Sequence, residues 1–279
     1  MAAMLDVTID ELIARYDVLL LDAYGVLVHS TGALPGAAAL IDRLNRTGQR
    51  YFILTNDASK LPATAAARYR GYGLDLSAER IITSGSLLVR YFATHGLAGS
   101  RCVVLGPTDS ERYVEQAGGQ VVPPSDGFDV LVIGDESGYP FLQTMDEVLT
   151  SLFRAVDRGD TIRLVLPNPD LIYPAADDGF GFASGTVAAM FEAALQARYP
   201  NRSDLQFVRL GKPHSAMFEE AFRRSNTRNM VVIGDQLETD IRGARAFGLD
   251  SALVATGVTQ SSVADLPAET RPTYRLLSL

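Results

Sequence analysis

Four short apolar runs in this chain each lead, directly or through one glycine, to a polar residue, and that repeated pattern confines the fold to a sheet covered on both faces. Val18-Leu19-Leu20-Leu21 ends in Asp22-Ala23-Tyr24-Gly25-Val26. Tyr51-Phe52-Ile53-Leu54 ends in Thr55-Asn56, and Met230-Val231-Val232-Ile233 ends in Gly234-Asp235, with Thr239-Asp240 following. Phe207-Val208-Arg209-Leu210 runs into Gly211-Lys212-Pro213, ahead of the helical pattern Met217, Phe218, Ala221, Phe222. Runs without polar alternation fit parallel strands buried on both faces, and open sheets of that kind carry their sites at strand carboxyl ends.

Helical segments alternate with these strands. Thr8 followed by Glu11 is a capping-box signature, and Ile9, Leu12, Ile13 and Tyr16 repeat at helical spacing. Further helices are predicted from Gly36 to Asn45 and from Arg242 to Phe247. The alternation implies an α/β fold with a doubly wound parallel sheet. The interval between Thr55 and Lys212 is too long for one crossover, so an inserted domain is expected at residues 86–183, leaving 1–85 and 184–279 as the core. The insert has its own apolar runs, Cys102 to Leu105, Val130 to Ile133 and Leu164 to Leu166, and a helical segment from Met145 to Val156. It too reads as α/β.

In order along the chain, Asp22 with Gly25-Val26, Thr55, Lys212, and Gly234-Asp235 with Asp240 resemble the four motifs of the haloacid dehalogenase (HAD) superfamily of phosphotransferases. Leu54-Thr55-Asn56, Gly211-Lys212-Pro213 and the Gly-Asp-x-x-x-Thr-Asp at 234–240 look most like its class IIA, the subgroup of nitrophenyl phosphatases and pyridoxal phosphatase. The resemblance implies a Rossmann-like core and an inserted α/β cap domain that closes over the active site and mediates dimers, so a homodimer through the cap is expected. It also implies Asp22 and Lys212 as catalytic residues. Asp22 would form an aspartyl phosphate, dividing one hard displacement into two easier ones. A phosphate monoester is dianionic, so an anionic nucleophile needs cations to neutralise it first. Magnesium is the expected cofactor, held by Asp22, the Tyr24 backbone carbonyl and Asp235, since a hard divalent ion suits oxygen ligands. Asp240 is expected to hold a metal-bound water or Lys212. Thr55, Asn56 and Lys212 would bind the phosphoryl oxygens.

One position departs from the pattern. Tyr24 stands where phosphatases of the family carry a second aspartate that protonates the leaving oxygen and then activates water. A phenol of pKa about 10 can donate a proton but is a poor base at neutral pH. Two functions therefore stay open: a magnesium-dependent phosphatase of a small phosphorylated metabolite, slowed by Tyr24, or a non-hydrolytic phosphometabolite-binding or regulatory protein that keeps the phosphate and metal site. Asp57 is the first alternative acid and base.

Other segments are ambiguous in sequence. Pro167-Asn168-Pro169-Asp170-Leu171 resembles the subgroup's substrate segment, where Asn168 and Asp170 would face the leaving group, but the same residues make an ordinary turn. Val132-Ile133-Gly134-Asp135 copies the start of Val232-Ile233-Gly234-Asp235 yet lacks the later Thr-Asp, so the metal is assigned to Asp235 and Asp135 is read as a strand-end residue. His214 is read as a helix-start residue, and Cys102, alone in an apolar run, as a buried inert thiol. The net charge of -8 and scattered Lys and Arg argue against nucleic-acid binding, although small nucleotides remain possible substrates. The longest N-terminal apolar run is broken by Asp22 and follows no cationic segment, so neither a membrane span nor export is expected and the protein is placed in the cytoplasm.

Overall fold

The computed structural model describes residues 5–175, 179–254, 267 and 270–279. They form two compact units, one drawn from Met1–Thr55, Pro62–Ile82 and Lys212–Leu279, the other from Asn56–Leu61 and Thr83–Gly211.

The first unit is built on a seven-stranded sheet ordered Leu5–Val7, Tyr274–Leu276, Asp250–Val254, Met230–Gly234, Val18–Asp22, Arg50–Thr55 and Ile81–Thr83. Val18–Asp22 runs parallel to both neighbours, with Leu21 opposite Ile233 on one side and Asp22 opposite Leu54 on the other. All five of its residues are buried, which is why its sequence has no polar alternation. The shared register delivers Asp22, Thr55 and Asp235 at the same end of three adjacent strands. Helix Ile9–Arg15 starts at the expected capping box: Glu11 N donates to Thr8 Oγ1 at 3.3 Å and Thr8 N donates to the Glu11 carboxylate at 2.8 Å. Helix Ala37–Thr47 buries Leu40, Ile41 and Leu44 in a core shared with Leu19, Leu21, Ile53 and Ile233.

The second unit holds a five-stranded parallel sheet ordered Val208–Arg209, Arg163–Leu166, Val130–Ile133, Arg101–Leu105 and Gln120–Val121. Beside it in sequence, Ile172–Pro174 and Phe180–Phe182 pair as an antiparallel ribbon. This unit reaches Gly211, beyond the residue 183 at which the sequence ends the insert. The reason is apolar: helix Ser184–Arg198 places Val187, Ala188, Phe191 and Leu195 in the second core with Leu131, Ile133 and Leu152. The run Phe207 to Leu210 likewise becomes a two-residue strand of this sheet, with Val208 opposite Val165. No helix among the described residues is long and apolar enough to cross a membrane.

Candidate active site

Asp22 closes the central strand of the first unit, and its carboxylate is fixed by two donors. Lys212 Nζ donates to Oδ1 at 2.6 Å, and the backbone N–H of Ala23 donates to the same oxygen at 2.8 Å. Lys212 also donates to Asp240 Oδ1 at 2.7 Å. Asp240 is carried on a π-helical turn, Leu237–Ile241, that follows Met230–Gly234 and bends its side chain back so that Oδ2 accepts from Gln236 N at 3.3 Å. Such turns recur at functional sites because they re-aim one side chain without ending the helix that follows.

Two glycines make room for the carboxylates. Gly25 has φ +81°, and a Cβ there would overlap the Asp235 carboxylate. A Cβ on Gly234 would overlap Asp240 in the same way. Asp22, Asp235 and Asp240 are all buried, and one carboxylate oxygen from each lies within 4.8 Å of the others.

The charges in this cluster do not balance. Burial opposes the charge on Lys212, yet Asp22 and Asp240 outweigh it and hold the ammonium above the ordinary lysine range. Burial, then the Asp240 charge, pushes the Asp22 carboxyl well above the carboxylate range despite Lys212. Three buried carboxylates, two of them paired with the Lys212 ammonium, bring oxygen-only donors within 4.8 Å of one another, so the residues present fit a hard divalent metal ion.

Tyr24 is engaged by an arginine. Its hydroxyl accepts from Arg68 Nη2 at 2.7 Å, and Arg68 Nε donates to the Tyr72 hydroxyl at 3.1 Å. The guanidinium lies 5.7 Å from the Tyr24 ring centroid and 5.5 Å from that of Tyr72. Arg68 is a residue the sequence reading missed. Its spacing from Tyr72 is visible as an i, i+4 pair, but nothing in the sequence links either to Tyr24.

The remaining sequence-predicted residues fall in two places. Thr55 is buried at the end of Arg50–Thr55 in the first unit. Asn56, Asn168 and Asp170 meet in the second, where Asn56 Nδ2 donates to Asp170 Oδ1 at 2.9 Å and Asp170 N donates to Asn168 Oδ1 at 3.0 Å. Asp57 Oδ1 accepts from Ser59 N at 2.7 Å and Ser59 Oγ at 2.8 Å, so it caps its own turn. Asp135 does the same for Ser137, accepting from its N at 3.0 Å and its Oγ at 2.6 Å. His214 is the N-cap of helix Ser215–Ser225, and burial pushes the Cys102 thiol up to about 12.

Known proteins resemble this chain in sequence and in fold. The family model for haloacid dehalogenase-like hydrolases matches residues 19–120, and a HAD-hydrolase-like model matches 209–279. A possible sugar phosphatase of the HAD superfamily from Cytophaga hutchinsonii is 31% identical with a TM-score of 0.83, over 99% of this chain and 98% of that one. The chain belongs to the haloacid dehalogenase superfamily. It is a class IIA HAD hydrolase of the phosphoric monoester type. The glycerol phosphate phosphatase of Mycobacterium tuberculosis, solved in complex with calcium, is 27% identical to this HAD protein with a TM-score of 0.80, covering 95% of this chain and 74% of the other. Dihydroxyacetone phosphatase of Corynebacterium glutamicum is 27% identical over 245 residues, 87% of this chain and 82% of the relative.

Proposed function

We propose that this HAD hydrolase is a magnesium-dependent phosphatase of small phosphorylated metabolites that works through an aspartyl phosphate on Asp22. The observation that carries the reading is the Lys212 ammonium bonded to Asp22 inside a buried cluster of three carboxylates. Asp22 attacks phosphorus, its carboxylate oxygen forming the new P–O bond as the ester P–O bond breaks and the alkoxide departs. Water then attacks the same phosphorus as its bond to the Asp22 oxygen breaks, and the proton the water gives up to solvent balances the one the alkoxide takes from it, leaving inorganic phosphate, an alcohol and free Asp22. Lys212 holds Asp22 in place and offsets its charge as the phosphoryl group approaches, and Thr55 and Asn56 contribute hydrogen bonds to phosphoryl oxygens. Magnesium would be held by Asp22, Asp235 and the Tyr24 backbone carbonyl, with Asp240 behind them, and would neutralise the dianion. Relatives named as sugar, glycerol phosphate and dihydroxyacetone phosphatases support a small phosphorylated metabolite, with Asn168 and Asp170 as residues of the leaving-group side.

The second reading, a phosphometabolite-binding protein without turnover, draws on Tyr24, whose hydroxyl is bonded to Arg68 at 2.7 Å. Nitrophenyl phosphate separates the two, because nitrophenolate leaves without needing a proton. Phosphate release that requires magnesium and is abolished by Asp22→Asn is the expected result. Activity that survives both chelation and Asp22→Asn removes the nucleophile and the metal site together, and binding of phosphate without any phosphoenzyme favours the second reading.

A further inference from the structure

In the second unit Asn56 and Asp170 are bound to each other, and each is confined by other groups as well. Asp170 N donates to Asn168 Oδ1 at 3.0 Å, and its carbonyl accepts from Gly185 N at 2.9 Å. Gly185 has no space for a side chain, since a Cβ would overlap the carbonyls of Pro169 and Asp170. The Asn56 side chain is buried, and its backbone carbonyl accepts from Ser84 Oγ at 2.7 Å. Against its other side lies Gly211, where a Cβ would stand 2.5 Å from Asn56 Oδ1 and 2.7 Å from the Pro167 carbonyl. Gly211 N in turn donates to that carbonyl at 2.8 Å.

Asn56, itself a residue of the proposed site, thus sits between Asp170 and Gly211 with no space for a further atom on the Gly211 side. Asn56 follows Thr55 directly, and Gly211 directly precedes Lys212. We infer that Asp170 is a positioning residue for phosphoryl transfer, which by holding Asn56 against Gly211 fixes the backbone from which Thr55 and Lys212 project. The inference rests on the phosphatase reading and changes the part Asp170 plays in it. A substrate contact would govern which ester is chosen; a positioning residue governs every ester alike. Misplacing a catalytic group by about 1 Å costs on the order of 10²-fold, so a small relaxation of this segment is measurable.

The test uses the full-length protein with Asp170→Ala, Asp170→Asn and Gly211→Ala, each assayed on nitrophenyl phosphate and glycerol phosphate beside its melting temperature. Asp170→Ala is expected to lower kcat/KM for both esters by the same factor, about 10- to 100-fold. Asp170→Asn, whose amide oxygen still accepts from Asn56, is expected to restore most of that rate, and Gly211→Ala to reproduce the loss. A defect confined to glycerol phosphate would make Asp170 a substrate contact and overturn the inference. So would an Asp170→Asn as impaired as Asp170→Ala, or a Gly211→Ala at full rate, and those two variants decide the matter if Asp170→Ala fails to fold. A wild type without turnover overturns the phosphatase reading alone. Affinity for inorganic phosphate with magnesium then reads the positioning role in the same variants: weaker in Asp170→Ala and Gly211→Ala than in wild type supports it, and equal affinity overturns it.

Discussion

At the scale of single residues, Tyr24 sets this chain apart from the pattern it otherwise follows. It is a phenol whose hydroxyl accepts from Arg68, so the position offers neither a carboxylic acid to protonate an alkoxide nor a carboxylate to deprotonate water. General acid and base help is worth roughly 10²- to 10⁴-fold, and Tyr24→Asp is expected to raise turnover of alkyl phosphates within that range. Nitrophenyl phosphate should gain less, and an acid-quenched phosphoenzyme that accumulates in wild type should decline in the variant. Unchanged alkyl turnover would mean that another group already serves. The metal assignment is tested by heat: at 100 times its dissociation constant magnesium adds about 2.7 kcal/mol of stability, seen as a higher melting temperature. Asp235→Asn should abolish that rise and Asp135→Asn should not. Equal loss in both would remove the assignment of the metal to Asp235. That Asp22, Lys212, Asp235 and Asp240 come together is legible in the sequence, because each follows an apolar run or sits at fixed spacing from one. Arg68 was not, since its bond to Tyr24 spans 44 residues and exists only once helix Pro62–Gly71 has packed.

Among the elements, helix Ser215–Ser225 follows the Lys212 segment and is fastened by one acid. Glu220 bonds Arg223 at 2.8 Å and Arg224 at 2.7 Å, and Arg224 Nη1 reaches the carbonyls of Glu79 at 3.3 Å and Ile81 at 3.4 Å. Burial alone would raise the Glu220 carboxyl, but the two guanidiniums outweigh it and hold it below its ordinary 4.5. A folded-state pKa below the unfolded one gives stability that is present above pH 4.5 and lost as pH falls through the lowered value. Partly exposed pairs contribute about 1 kcal/mol or less, so Glu220→Gln should lower the melting temperature at pH 7 by roughly 2–4 °C at most. The two proteins should converge in acid, and a gap that persists there would assign the effect to packing. Val18–Asp22, Arg50–Thr55 and Met230–Gly234 of the first sheet and Arg101–Leu105, Val130–Ile133 and Arg163–Leu166 of the second could be read from their apolar runs, and helix Ile9–Arg15 from its capping box, whereas short strands such as Leu5–Val7, Gln120–Val121 and Tyr274–Leu276 could not. The run Phe207 to Leu210 was harder, because an apolar stretch announces a strand without saying which sheet it joins. The π-helical turn that aims Asp240 had no composition of its own to read.

For the molecule as a whole, the decisive feature is that the described residues divide into two units, each with an apolar core of its own, and the proposed metal cluster belongs to the first. That an insert exists could be read from the long interval between Thr55 and Lys212. Where it ends could not, because Val187, Ala188, Phe191 and Leu195 are as suited to one core as to the other until the helix docks. Magnesium should therefore slow amide exchange in Val18–Asp22 and Met230–Gly234 while leaving Arg101–Leu105 and Val130–Ile133 as they were. Leu152 is fully buried in the second core, and Leu152→Ala should cost about 2–5 kcal/mol there. Exchange should quicken along helix Phe141–Arg158 and strand Val130–Ile133, with the magnesium protection of Val18–Asp22 retained. Loss of that protection in Leu152→Ala would show that the two cores open as one cooperative body, and the metal site could then no longer be treated as a property of the first unit.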